Sequence, residues 1–163
     1  MLPQSNAADD PRSVVQLRHT SMASESRLYT FSTETEEKLR KFRLGTSRAN
    51  SPQAVVYQID KHTLEIAQAD DTIYSNVQEL GDELPDHSPR FILLSYPLTL
   101  PSGRLSVPYV LLYYLPVTCN AEVRMLYAGA KELMRNTAEV GKVIEIAEAE
   151  DLETIEEKLG GAA

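Results

Sequence analysis

A chain of 163 residues, 42% apolar and 25% charged, is sized for one domain with a single core and can bury enough surface to hold without disulfides or a structural metal. No run approaches the ~20 consecutive apolar residues of a membrane span, and sixteen basic against twenty-four acidic residues, net −8, repel phosphate backbones and anionic lipid. Nucleic acid and membrane are thereby excluded as partners, and a single cysteine, Cys119, excludes an internal disulfide.

Residues 1–22 mix Pro3, Gln4, Ser5, Asn6, Asp9, Asp10 and Pro11 with scattered Val14, Val15 and Leu17. Without sustained periodicity they read as a disordered leader, ahead of a domain over 23–160 and a tail over 161–163. Met22, followed by Ala-Ser-Glu-Ser, is a candidate initiator. The leader has no hydrophobic signal core and the termini carry no lipidation motif, so the expected compartment is the cytoplasm.

Thr33 and Glu36 have capping-box spacing, and Leu39 and Phe42 lie one turn apart on one face, which predicts a helix over 33–44 closed by Gly45. Two β-rich runs, 54–59 and 63–66, flank the short polar link Asp60-Lys61-His62 and predict antiparallel strands. Ser75 is positioned to cap a short helix with Val77, Leu80 and Leu84 inward, ended by Pro85. The continuous apolar run 91–94 predicts a central strand covered on both faces. After the turn Pro101-Ser-Gly103, one long strand is predicted over 105–115, with Pro108 demanding a bulge or an edge position. Asn120 then caps the longest helix, over 121–136. A fifth strand at 142–146 and a final amphipathic helix after Asp151, carrying Leu152, Ile155 and Leu159, complete the chain. The order α-β-β-α-β-β-α-β-α, with hairpins for pairs and the long helix as a crossover, predicts an α/β architecture: a mixed five-stranded sheet with helices on both faces.

Catalytic signals are sparse. His19, His62 and His87 fall in the leader, a hairpin link and a Pro-flanked loop, with no second ligand at metal-binding spacing. Cys119 precedes a helix N-terminus, where a thiolate is stabilised, but nothing near it in sequence serves as a base, so it reads as a bystander rather than the nucleophile of a small enzyme. Gly129 stands alone within a helix, and no glycine belongs to a phosphate-cradling pattern. The acidic run from Glu145 to Glu157 reads as a solvated face. No cofactor, metal or catalytic residue is expected.

The segment Met125-Leu-Tyr-Ala-Gly-Ala-Lys131 resembles the Met-x-Tyr-Ala-x-x-Lys core of the long helix in the actin-depolymerising factor homology (cofilin-like) family. Beside it, Glu37-Lys-Leu-Arg-Lys-Phe-Arg43, Asp82-Glu-Leu-Pro85, Pro89-Arg-Phe-Ile92, Gly103-Arg104, Leu133 through Thr137-Ala-Glu139 and Glu150-Asp-Leu152 stand in the order, and at nearly the spacing, of that family's glia maturation factor branch. The match covers about residues 24–160. It implies a five-stranded sheet flanked by four helices. It also implies a monomer that binds the actin-related protein 2/3 complex, detaches branches from the mother filament and inhibits branch nucleation, at cortical actin patches with the nucleus as a second location.

Two partner surfaces follow from the resemblance. The first joins Ser24, Glu25 and Arg27 to Glu122, Arg124, Met125, Ala128, Gly129 and Lys131, with the small Ala128 and Gly129 admitting the partner's backbone. The second joins Arg104 to Glu153, Glu156, Glu157 and Lys158 and presses on the first actin subunit of the daughter filament. Actin-binding members carry basic residues at the two places held here by Glu122 and Arg124. The reversed charge of Glu122 repels an acidic actin surface, whereas Arg124 keeps open the alternative of cofilin-like binding and severing of actin.

Overall fold

The computed structural model describes residues 28–160. The leader, the tail, His19, Ser24, Glu25 and Arg27 lie outside the described residues. Helix α1 (Thr33–Gly45) opens at the expected residue, but its cap is Ser32 rather than Thr33: Ser32 is extended, and its hydroxyl accepts the Thr35 N–H at 3.0 Å. Glu34 and Glu36 sit in the first turn and Arg43 in the last, the order that the helix dipole favours.

A 3-10 turn (Thr46–Arg48) leads to strand β1 (Gln53–Ile59). Its hairpin partner begins later than the β-rich run predicts. Asp60 Oδ1 accepts the N–H groups of His62 and Thr63 at 2.8 and 3.1 Å, which draws 60–63 into a turn. Leu64 takes a positive φ of 62°, and strand β2 is Ile66–Gln68. Helix α2 (Val77–Glu83) is capped by Asn76 rather than Ser75, because the Asn76 amide oxygen reaches the Gln78 N–H at 2.7 Å. Strand β3 (Arg90–Ser95) follows.

The single strand expected over 105–115 is divided. Pro108 cannot donate a ladder bond, and the chain splits there into β5 (Leu105–Ser106) and β6 (Tyr109–Tyr114). β5 pairs with β4 (Leu98–Thr99) as a separate two-stranded ribbon. Helix α3 (Ala121–Ala138) is capped by Asn120, which accepts the Val123 N–H at 2.8 Å, and ends on Glu139 with φ 55°. β7 (Lys142–Ile146), a 3-10 segment (Ala149–Thr154) and α4 (Ile155–Lys158) finish the fold. Asp151 does not start that last helix. It lies inside the 3-10 segment and turns back to accept the N–H groups of Ala147 and Glu148 at 3.0 and 3.1 Å.

The main sheet runs β2-β1-β3-β6-β7, antiparallel except for the parallel β6–β7 pair that α3 connects. β3 is central, with Leu93 opposite Val55 on one side and Leu111 on the other. Phe91, Ile92, Leu93 and Leu94 are all 0% exposed, as a strand covered on both faces requires. Period-two alternation sends Ile92 and Leu94 into one core with Val56, Leu112, Leu80, Leu152 and Ile155. Phe91 and Leu93 enter the other, with Tyr57, Leu111, Leu39, Tyr127 and Met134. So α1 and α3 cover one face, and α2, the 3-10 segment and α4 cover the opposite one. Buried Tyr127 accepts the Ile59 N–H at 3.0 Å, and Tyr109 donates to the Ala138 carbonyl at 2.8 Å. These two bonds tie α3 to the sheet and leave its other side outward.

The Ala147 N–H, followed by the Glu148 N–H and the Lys158 charge, holds the Asp151 carboxyl below its usual range against the opposing effect of desolvation. A depressed folded value means the contribution is complete above the unfolded carboxylate pKa, roughly 4, and vanishes as pH falls through the folded value. Thermal melts should therefore place Asp151→Asn below wild type at neutral pH, with the gap closing under acid conditions. A gap independent of pH would assign the loss to packing instead.

Candidate functional site: two exposed faces

Helical spacing distributes the named α3 residues over its outer side. Met125 is the crest, 72% exposed, with Glu122 and Ala128 also exposed one turn to either side. Arg124 and Lys131 lie on one flank, both half-buried. The Arg124 guanidinium reaches the Pro116 carbonyl at 3.5 Å, and Lys131 Nζ stands 5.9 Å from the Tyr113 ring centre, within cation–π range. Both side chains thus rest on the molecule while their charges stay available: among the described residues neither they nor Glu122 form an ion pair.

Gly129 lies on the other flank, and here the structure assigns the small residue differently. The space above it is filled by this chain's own Tyr29, whose hydroxyl would be 2.7 Å from a Cβ at Gly129. Tyr29 also donates to the Leu126 carbonyl at 2.8 Å. Of the two small residues, only Ala128 is open to a partner. Tyr29 was not among the residues singled out from sequence, although the lone glycine in a helix interior is the signal that could have led to it.

The second face sits at the other end of the sheet. α3 starts where β6 ends, whereas the β4–β5 ribbon precedes β6, so the six residues of β6 separate them by roughly 20 Å. The ribbon turn is closed by Gly103 N–H to the Leu100 carbonyl and Leu100 N–H to the Arg104 carbonyl, each 2.8 Å. Gly103 has φ 87°, a conformation that favours glycine. Arg104 is exposed, and Leu105, which sequence reading passed over, is 79% exposed beside it. Glu153, Glu156, Glu157 and Lys158 are all exposed. Tyr96, just past β3, donates to Glu156 Oε1 at 3.3 Å, and burial, then the Glu156 charge, raises the Tyr96 pKa. That contact joins the base of the ribbon to α4.

A groove of about 540 Å³ lies apart from both faces, between α1 and the β1–β2 edge, lined by Phe42, Val55, Tyr57 and Ile73 among others. None of the partner-surface residues named from sequence lines it. Cys119 is buried, and among the described residues no cluster of His, Cys, Asp and Glu could hold a metal ion. His87 is engaged with the Thr118 hydroxyl at 2.8 Å. No helix among these residues is long and apolar enough to cross a membrane.

A mixed sheet between two helical layers, with an outward long helix and a charged ribbon-and-helix face, defines a module that works through its surface. The family described as Cofilin/tropomyosin-type actin-binding protein matches residues 28–160. Glia maturation factor beta of Homo sapiens is 41% identical over 126 residues, 76% of this chain and 87% of that protein. Protein AIM7 of Saccharomyces cerevisiae is 38% identical over 145 residues, 82% and 97% of the two chains. The solution structure of glia maturation factor from Caenorhabditis elegans superposes with a TM-score of 0.66 at 31% identity, covering 80% of this chain and 95% of that one. This chain belongs to the cofilin-like, actin-depolymerising factor homology family, and within it to the glia maturation factors. It is an actin-regulating protein and not an enzyme.

Proposed function

We propose that this protein binds the actin-related protein 2/3 complex, releases branches from the mother filament and inhibits new branch nucleation. The observation that carries this reading is Glu122: exposed, without an ion pair among the described residues, and set one turn before the exposed Met125 on the outward side of α3. At this place actin-binding members carry a cation, and a carboxylate against an acidic surface costs up to several kcal/mol. The outer face of α3, with the segment before α1, docks at the barbed-end groove of the actin-related subunit, and about 800 Å² per partner suffices for a specific contact. The Arg104 ribbon and α4 then meet the first actin subunit of the daughter filament. No bond is made or broken. The protein shifts branch stability by the difference between its affinities for the branched and detached states. Its place of action is the cytoplasmic actin cytoskeleton.

Cosedimentation with bare actin filaments, run beside pull-down of the purified branching complex, tests this: the complex is retained and bare actin is not. Retention of bare filaments by the wild-type chain would favour cofilin-like severing instead. In the same assay Glu122→Lys should acquire measurable actin binding, because an attractive contact replaces a repulsive one. If it gains none, the discrimination lies elsewhere on the face.

A further inference from the structure

Glycine inside a helix costs stability relative to alanine, so Gly129 requires a reason, and Tyr29 provides it. A methyl group at position 129 would fall 2.7 Å from the Tyr29 hydroxyl oxygen but 3.6 Å from Cζ, which is ordinary contact. The same hydroxyl donates to the Leu126 carbonyl at 2.8 Å. The next residue is anchored elsewhere: Thr30 N–H donates to the Leu64 carbonyl at 3.0 Å, and Ile66 N–H donates to the Thr30 carbonyl at 2.8 Å, pairing Thr30 with Glu65 just ahead of β2. Two consecutive residues thus bind two different elements, one through its side chain and the other through its backbone. Uncovered apolar side chains flank this clip, Leu28 at 59% exposure immediately before it and Met125 at 72% beside the bonded carbonyl.

We propose that Tyr29 is a positioning residue for the docking face: by clipping onto α3 at Gly129 it fixes its own stretch, with the exposed Leu28 beside it, against the outer side of the long helix. The proposal rests on the docking role of α3 put forward above. Its function is to convert the stretch that begins at Leu28 and the outer side of α3 into one surface of fixed shape, so that binding does not bear the cost of aligning the two.

The distances dictate a reversal of sign between two substitutions. Tyr29→Phe keeps the ring and loses one neutral hydrogen bond, weakening affinity for the purified branching complex by ~2- to 10-fold. Gly129→Ala drives the hydroxyl out and should weaken it more than ~10-fold while melting near wild type, since the helix gains from alanine what the clip loses. Adding Tyr29→Phe to Gly129→Ala removes the oxygen that collides, and affinity should return to about the Tyr29→Phe level. Amide hydrogen exchange, read without any partner, should quicken at Thr30 and Ile66 in Gly129→Ala and slow again in the double variant. Unchanged exchange in Gly129→Ala would overturn the clip, and faster exchange with unaltered affinity would overturn its positioning role. Failure of the wild-type chain to bind the complex would sink the docking reading itself, and the exchange data tell that failure apart from failure of the clip.

Discussion

Arg104→Ala should leave binding to the isolated branching complex within about twofold of wild type and yet lower the debranching rate severalfold at saturating protein. The geometry separates the two effects, because Arg104 projects from the β4–β5 turn while the docking helix begins at the far end of β6. A factor that touches only the complex stabilises its bound form wherever the groove is open; disfavouring the branched state requires a contact that differs between the branched and detached states. Glu156→Ala with Glu157→Ala should act in the same direction. The Tyr96 hydroxyl loses its partner in that double variant, so Tyr96→Phe, which removes the same hydrogen bond and leaves both carboxylates, is the control and should debranch normally. Branch lifetimes followed by fluorescence microscopy at saturation give the measurement. Wild-type rates in both Arg104→Ala and the paired glutamate variant would mean that occupancy of the groove alone drives debranching.

Leu93→Ala should be among the most destabilising single substitutions in the domain. Leu93 is fully buried at the centre of the central strand, against Val55 and Leu111 on its two neighbours. Truncating it removes buried methyl groups from a strand that cannot collapse onto the gap, at a cost of ~2–5 kcal/mol. In denaturant titrations the midpoint should fall accordingly with little change in slope. Leu105→Ala is the matched comparison, since it removes the same atoms from a side chain already 79% in water and should shift stability by less than ~0.5 kcal/mol. A small effect at Leu93 would show that the sheet repacks, contrary to the two-faced core described above.

Much of this protein is decided by neighbours in the chain. The 91–94 run specifies a strand buried on both faces because no residue in it is polar, and the spacing of Tyr127, Ala130 and Met134 turns one side of α3 to the sheet by helical geometry alone. The caps of α1 and α2 were legible to within one residue, since Ser32 and Asn76 each compete with an adjacent, chemically similar side chain and the choice depends on which is held extended, whereas Asp151 lies inside the 3-10 segment instead of capping α4. The charged outer positions from Glu122 to Lys131, and the acidic final helix, were likewise visible as solvated faces. Tertiary structure alone decided the rest. Pro108 marked an interruption, but only pairing with the β4 strand made 105–106 a ribbon and left 109–114 inside the sheet. Tyr96 and Glu156 are 60 residues apart, and the contact that joins the ribbon to α4 exists only because the sheet brings them together. Gly129 announced an anomaly without its cause: a glycine records that something approaches closely, and its partner, Tyr29, bonds to the same turn of helix from 97 residues away. Local signals set what each segment becomes, because caps and periodicity act over a few residues; which surfaces end up side by side is decided by long-range packing, to which no local pattern is sensitive.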